Sequence, residues 1–114
     1  MRKEINIMSV LNDLYNVVTD RRENPQEGSY TCYLFEKGLD KICKKCGEEC
    51  TEMVIAAKNN DNEELKNEIA DLFYHVAVLC AQQGLDIAEV EAVLDERSKK
   101  IGNLKQFHVS DHNT

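Results

Sequence analysis

The sequence predicts an all-α protein, an antiparallel bundle of about four helices that is completed by dimerisation. Apolar residues recur along most of the chain with the period of an amphipathic helix. The 114 residues include one proline and five glycines, so little interrupts long helices. Two polar stretches have the form of capping boxes, Asp61 with Glu64 and Asp86 with Glu89, and they mark helix starts.

The first helix is predicted from Ser9, its expected N-cap, to the neighbourhood of Arg22. It ends there because a proline disfavours helical geometry in the residue before it. The next stretch, Pro25–Thr31, is rich in turn-forming residues and is predicted to be a loop. The apolar positions of this helix are Val10, Leu11, Leu14, Val17 and Val18.

Two longer helices are predicted next, over residues 39–58 and 62–82, and a short polar turn joins them. A turn this short makes consecutive helices antiparallel, as in an αα-hairpin. We expect one apolar stripe of each helix to face the core. The stripes consist of Leu39, Ile42, Cys43, Cys46, Cys50, Met53, Val54 and Ala57 in the first helix, and Leu65, Ile69, Leu72, Phe73, Val76, Leu79 and Cys80 in the second.

A fourth helix is predicted after Gly84, which is a typical helix terminator, and its apolar residues include Ile87, Val90, Val93 and Leu94. We therefore expect a single helical domain over residues 1–105. Residues 106–114 are polar and without periodicity, which predicts a flexible C-terminal tail.

Composition and charge argue against several classes of function. The net charge of −7 disfavours a nucleic-acid binder, which needs a basic face. The chain has no apolar run long enough for a membrane span and no signal-peptide pattern, so we expect a cytoplasmic protein with reduced cysteines. Cys43, Cys46 and Cys50 share the apolar stripe and are interpreted as core thiols rather than as a zinc or redox site.

Two acidic clusters lie on the two longer helices: Glu48, Glu49 and Glu52, then Glu68 and Asp71. At about 100° of rotation per residue, Glu49 and Glu52 flank one apolar stripe, and Glu68 and Asp71 flank the other. Antiparallel packing brings such residues together, where they repel one another unless a cation neutralises them. Carboxylates suit Mg²⁺ or Mn²⁺, which favours phosphate chemistry. The alternative is a solvated face of acids paired with lysines.

Other polar residues near the acids are candidates for substrate binding. Lys44 and Lys45 precede the first acidic cluster, where they either bind phosphate oxygens or form a solvated face. Ser29, Tyr30 and Thr31 lie in the predicted loop, which either hydrogen-bonds a sugar or phosphate or is only a connector.

The spacing of the acids, Glu49-x-x-Glu52 and then Glu68-x-x-Asp71 on consecutive helices, resembles the MazG-like, all-α nucleoside triphosphate pyrophosphohydrolases. The flanking residues narrow this resemblance to the phosphoribosyl-ATP pyrophosphohydrolase family. They are PQEGSYT at 25–31, KGLDKI at 37–42, KKCGEECTE at 44–52 and DLFYH at 71–75.

The resemblance implies a MazG-like fold and a cytoplasmic enzyme acting on a small-molecule nucleotide, without nucleic-acid or membrane partners. The implied reaction is the hydrolysis of phosphoribosyl-ATP to phosphoribosyl-AMP and pyrophosphate, the second step of histidine biosynthesis. Mg²⁺ is the implied cofactor, with Mn²⁺ as a substitute. The implied assembly is a homodimer or a higher homo-oligomer.

The resemblance also implies roles for individual residues. Glu48 or Glu49 accepts the proton of the attacking water. His75 either orients a carboxylate or only packs in the core. The implied metal ligands are Glu49, Glu52, Glu68 and Asp71, and the implied substrate-binding residues are Lys44, Lys45, Ser29, Tyr30 and Thr31, of which Lys45 is also placed in the catalytic group.

Three other functions are compatible with parts of the pattern. A housekeeping pyrophosphohydrolase acting on dUTP or a damaged nucleotide shares the acidic motif, although the loop at residues 28–31 argues against it. A di-iron bundle uses Glu-x-x-His pairs, whereas this chain has Glu68-x-x-Asp71. A helical interaction module is expected to expose an apolar face without converging carboxylates.

Overall fold

The computed structural model describes residues 7–102 and shows helices and no strand within that range. The helices are α1 (Ile7–Glu23), α2 (Tyr30–Lys37), α3 (Leu39–Lys58), α4 (Asn62–Gln82) and α5 (Ile87–Gly102). The predicted all-α helical bundle is confirmed, with five helices rather than about four. In the described part of the chain, no helix has the length and apolar content that crossing a membrane requires.

The pair of helices α3 and α4 is the centre of the bundle, and it makes the most extensive helix–helix contact. Both helices have the predicted bounds. The turn between them places Asn60 in the left-handed region, at φ 55°, which asparagine tolerates better than most residues. Asp61 then caps α4, because its Oδ1 accepts a hydrogen bond of 3.0 Å from the backbone N–H of Glu64.

Helix α2 was not predicted, and Tyr30 and Thr31 belong to its first turn rather than to a loop. Ser29 is its N-cap, and its hydroxyl accepts a hydrogen bond of 3.2 Å from the backbone N–H of Cys32. The helix ends at Gly38, whose φ of 90° is rare for residues with a side chain. α2 has 8 residues, about two turns, too few for a clear amphipathic period.

The core lies where α1, α2 and α5 pack on the central hairpin. Leu34 of α2, Ile42 of α3 and Val78 of α4 are fully buried. Val18 of α1 and Ile87 of α5 complete the same cluster. The short helix α2 therefore contributes a central core residue and is anchored against both α3 and α4.

The stripe predicted to bury α3 was partly wrong, because the buried line of this helix runs through Ile42, Glu49 and Ala56. Cys43 and Cys50 are exposed rather than core thiols, and Cys46 is only partly buried. Apolar residues of α3 occur on both sides of the buried line, so the predicted stripe covered two faces of the helix. The second face remains exposed, with Val54 and Ile55 more than half accessible.

The N-cap predicted at Ser9 is wrong, since α1 already begins at Ile7. The predicted tail at 106–114 and the domain limit at residue 105 lie outside the described residues.

Candidate metal centre

Glu49 of α3 and Glu68 and Asp71 of α4 converge on one spot. One carboxylate oxygen from each lies within 4.8 Å of the other two. Glu49 is 6% exposed and Glu68 is 8% exposed, whereas Asp71 opens to solvent. Three of the four predicted metal ligands are therefore brought together, in a group that is buried on one side and accessible on the other.

Glu52, the fourth predicted ligand, lies outside this group of three and is exposed. It neighbours Glu68 and lines a cavity of about 400 Å³. Glu64, which lies one turn before Glu68, lines the same cavity. Our sequence interpretation gave Glu64 only a capping role. Glu64 and Glu68 are one helical turn apart and therefore share a face of α4. This spacing was the signal that our interpretation overlooked.

The surroundings of the buried carboxyl groups disfavour their ionisation. Neighbouring carboxyl groups of Glu64 and Glu52, together with burial and then Glu49, raise the pKa of Glu68 to about 8. The Oε2 atoms of Glu49 and Glu68 are buried without a hydrogen-bond partner among the described residues. Buried carboxyl groups either keep a proton or take up a counter-charge, and the atoms that could bind a cation here are all carboxylate oxygens. This donor set fits Mg²⁺ or Mn²⁺.

Lys45 borders the acidic group at the level of Glu48 and Glu49. Its Nζ lies 3.2 Å from Glu48 and 3.9 Å from Glu49. The hydrogen bond with Lys45 lowers the pKa of Glu48, and the same bond raises the pKa of Lys45. Lys44 is more exposed and lies 4.0 Å from Glu48. Both predicted phosphate-binding lysines are thus next to the acids, and Glu48 is their shared partner.

His75 does not orient a carboxylate in this structure. Its Nδ1 donates a hydrogen bond of 2.8 Å to the backbone carbonyl of Asp71. In the neutral ring, Nε2 is then an acceptor, and it receives the hydroxyl of Tyr30 at 3.0 Å. The buried imidazole therefore fixes Tyr30 of α2 beside α4, close to the acidic group.

The other two residues of the predicted substrate loop have structural partners. Ser29 caps α2, and Thr31 shares a hydrogen bond with the hydroxyl of Tyr74. Tyr30 is the most accessible of the three at 45% exposure. It borders a second cavity, of about 590 Å³, beside the loop from Pro25 to Ser29.

The arrangement argues against two of the alternative functions. Converging carboxylates are not expected in a simple helical interaction module. A di-iron site needs histidine ligands, whereas both ring nitrogens of His75 are engaged elsewhere.

Comparison with known proteins agrees with the geometry. The family model described as phosphoribosyl-ATP pyrophosphohydrolase matches residues 11–98. This chain belongs to that family. The resemblance noted from the motifs is thereby confirmed, and the matched residues include the whole acidic group, Lys45 and helix α2.

Bacterial relatives match over nearly their full lengths. A phosphoribosyl-ATP pyrophosphatase of Listeria welshimeri is 55% identical over 96 residues, which cover 84% of this chain and 92% of the relative. A protein of the same name from Clostridium acetobutylicum is 53% identical over 97 residues, covering 85% and 88%. A third, from Streptococcus gordonii, is 56% identical over 91 residues, covering 80% and 88%.

The raised pKa of Glu68 predicts how metal-free protein responds to pH. The pKa is 4.5 in an unfolded chain and about 8 in the folded state, so between these values the folded state holds the extra proton. This proton therefore stabilises the folded state fully below the pKa of the unfolded chain. The stabilisation is lost as the pH rises through the pKa of the folded state. The midpoint of thermal unfolding in a chelator should therefore fall across this window.

The matched variants for this measurement are Glu68→Gln and Glu63→Gln. Glutamine at position 68 does not titrate, so its unfolding midpoint should decline less with pH than that of the wild type. Glu63 is exposed and paired with Lys66, and its variant should retain the wild-type decline. An unchanged decline in Glu68→Gln would assign the pH dependence to other groups.

Proposed function

We propose that this chain hydrolyses phosphoribosyl-ATP to phosphoribosyl-AMP and pyrophosphate, the second step of histidine biosynthesis. The observation that carries the proposal is the convergence of Glu49, Glu68 and Asp71 in a member of this family. The names of the relatives support the substrate, since each is called a phosphoribosyl-ATP pyrophosphatase. The acidic chain, with a net charge of −7, acts on a small nucleotide rather than on nucleic acid.

In this proposal Glu49, Glu68 and Asp71 hold Mg²⁺, or Mn²⁺ as a substitute, and Glu52 completes the set from the neighbouring cavity. When bound, the cation neutralises negative charge on phosphate oxygens and on the leaving pyrophosphate. The buried residues Glu49 and Glu68 form the fixed side of the site. Asp71 is exposed and lies on the side from which the substrate enters.

Lys45 and Lys44 bind phosphate oxygens in the substrate complex. Both contact Glu48 in the free chain, so this carboxylate holds the lysine side chains near the site before substrate arrives. Glu48 lies outside the converging group of three, and its carboxylate borders that group through Lys45, which contacts both Glu48 and Glu49. We assign to Glu48 the role of proton acceptor for the attacking water, with Glu49 as the alternative.

Tyr30 is proposed to contact the phosphoribosyl group. Its hydroxyl is held by His75 and its ring is partly exposed beside the second cavity, so it presents a fixed aromatic surface next to the acids. Ser29 and Thr31 support this surface by capping α2 and by bonding Tyr74. Their contribution to substrate binding is therefore through the position of α2 and through backbone groups of the loop.

We further propose a cytoplasmic homodimer. The exposed face of α3 carries Cys43, Cys50, Val54 and Ile55, an apolar surface unusual for a helix in contact with water. Phe73 of α4 is also 40% exposed. Pairing two copies along these helices would bury the surface and enlarge the small core of the chain. The cytoplasmic location follows from the proposed substrate, a biosynthetic nucleotide.

Incubation of purified protein with phosphoribosyl-ATP and Mg²⁺ should release pyrophosphate. ATP and dUTP serve as control substrates and should release much less. Because the cation is needed to neutralise the phosphates, a chelator should abolish the release and added Mg²⁺ should restore it. Preferred turnover of dUTP would replace the proposed function with that of a housekeeping enzyme, and full activity in the chelator would remove the metal from it.

The Asp71→Asn and Glu52→Gln variants should each reduce turnover. Losing an outer-shell partner of a metal ligand can lower activity by roughly 100-fold, so removing a ligand itself should lower turnover by at least that factor. The helical content should not change. Steady-state kinetics and far-ultraviolet circular dichroism measure both. Glu63→Gln, an exposed change on the same helix, is the control and should keep wild-type turnover. Wild-type rates in both site variants would disprove the ligand assignment.

Val54→Asp should dissociate the proposed dimer, because an aspartate there places a charge in an apolar interface. Light scattering coupled to size-exclusion chromatography gives the mass directly. Asp95→Asn on α5 is a suitable control, as this residue is exposed and lies on another helix. A monomeric wild type, or a variant with the same dimer mass, would contradict the proposed interface.

A further inference from the structure

The hydroxyl group of Tyr30 has a single hydrogen, and a histidine already holds it. Nδ1 of His75 donates to the backbone carbonyl of Asp71 at 2.8 Å, because a carbonyl oxygen can only accept. Nε2 of the neutral ring then carries no hydrogen and accepts the hydroxyl of Tyr30 at 3.0 Å. Within residues 7–102 this hydroxyl makes no other hydrogen bond. The phenol oxygen therefore remains available to a ligand only as an acceptor.

The surroundings of Tyr30 keep its hydroxyl in this orientation. His75 is 5% exposed, so water has little access to the ring. The rings of Tyr30 and His75 meet edge to face, with their centroids 5.8 Å apart. The ring of Tyr30 also stacks on that of Tyr74, at 6.2 Å. Turning the hydroxyl away would leave the buried Nε2 without a partner, which is unfavourable.

The hydroxyl end of Tyr30 lies within the electrostatic influence of the acidic group and its lysine. Burial raises the pKa of Tyr30, the charge of Lys45 lowers it, and that of Glu49 raises it. Because Lys45 is proposed to bind phosphate oxygens and Glu49 to bind the cation, a substrate held there passes close to this hydroxyl. A substrate group that bonds to the phenol oxygen has to be a donor, since two acceptors repel one another.

The cavity beside Tyr30 favours a ligand with hydroxyl groups. Its volume is about 590 Å³, and Glu27 and Glu36 contribute to the lining, whereas no lysine or arginine of the described chain does. Tyr33 adds a second ring, 6.0 Å from that of Tyr30 and inclined to it by 23°. Carboxylates accept hydrogen bonds from hydroxyl groups and repel phosphate. This lining therefore suits a sugar ring better than a phosphate group.

We infer that the oxygen of Tyr30 accepts a hydrogen bond from a sugar hydroxyl of the phosphoribosyl group, and that His75 positions Tyr30 for this contact. The inference rests on the proposed function and specifies the atoms of one contact within it. A phosphoribosyl group has donor hydroxyls on its sugar and acceptor oxygens on its phosphate, so an acceptor held in place distinguishes the two ends. A substrate without the hydroxyl leaves the phenol oxygen unpaired and is bound less well.

The position of the hydrogen on His75 can be measured without substrate. Proton–nitrogen correlation spectra of the imidazole ring at neutral pH should show a hydrogen on Nδ1 and none on Nε2. Tyr30→Phe should shift the Nε2 resonance, because this nitrogen loses its donor. Tyr15→Phe removes a hydroxyl from α1, near Asp86, and should leave the resonance unchanged. A hydrogen on Nε2 would overturn the inference, since Tyr30 would then be free to donate to the substrate.

Steady-state kinetics test the contact itself. The probes are phosphoribosyl-ATP and analogues in which hydrogen replaces one hydroxyl of the phosphoribosyl sugar. One of these analogues should raise the KM of the wild type by at most about tenfold, as expected for the loss of a neutral hydrogen bond, with little change in kcat. Tyr30→Phe should show this increase with phosphoribosyl-ATP and no further increase with the analogue, because both changes remove the same bond. Tyr15→Phe should respond like the wild type.

The possible outcomes separate this inference from the proposed function. Effects of Tyr30→Phe and of every sugar analogue that multiply would overturn the contact and leave the proposed function intact. Non-additive effects with an analogue that lacks the phosphate of the phosphoribosyl group would overturn it in favour of phosphate binding. No release of pyrophosphate from phosphoribosyl-ATP by the wild type would overturn the proposed function and the inference together. Circular dichroism verifies that both variants are folded.

Discussion

The burial of Glu49 and Glu68 against each other is the constraint on which the rest of the structure depends. Two carboxyl groups from adjacent helices, each less than one-tenth exposed, lose most of their hydration, and without a cation the folded chain keeps a proton on Glu68 up to about pH 8 instead of holding two adjacent charges. Apolar residues of similar size would pack better at these positions. The bundle thus carries an unfavourable local arrangement, which the proposed cation would relieve. Its other contacts have to hold α3 and α4 together.

Those contacts are distributed around the hairpin rather than within the site. The turn at Asn59–Asp61 fixes the register of the two helices through a left-handed asparagine and an aspartate cap. At the other side, Leu34, Ile42 and Val78 pack α2 onto the pair. The hydrogen bond between Tyr30 and His75 ties α2 to α4 next to the acids. Rigid elements therefore determine the spacing of the carboxylates.

The long helices could be predicted from the sequence because their period extends over many turns and their ends carry recognisable caps, as at Asp61. Helix α2 could not, since eight residues give little periodicity and its cap, Ser29, lies within a stretch typical of turns. The convergence of the acids could be predicted from the rotation of successive side chains about each helix axis. The burial of Glu49 could not be predicted in this way. A wide apolar stripe does not indicate which of its edges meets the neighbouring helix, and Cys43 was misplaced for the same reason.

Gly38 is both the C-cap of α2 and the N-cap of α3, so no other residue separates the two helices. Insertion of one residue into α2 would turn the preceding side chains by about 100° relative to those that follow. Tyr30 and Leu34 would then no longer both reach their partners. Natural variation in this segment should therefore change residue identity and preserve length.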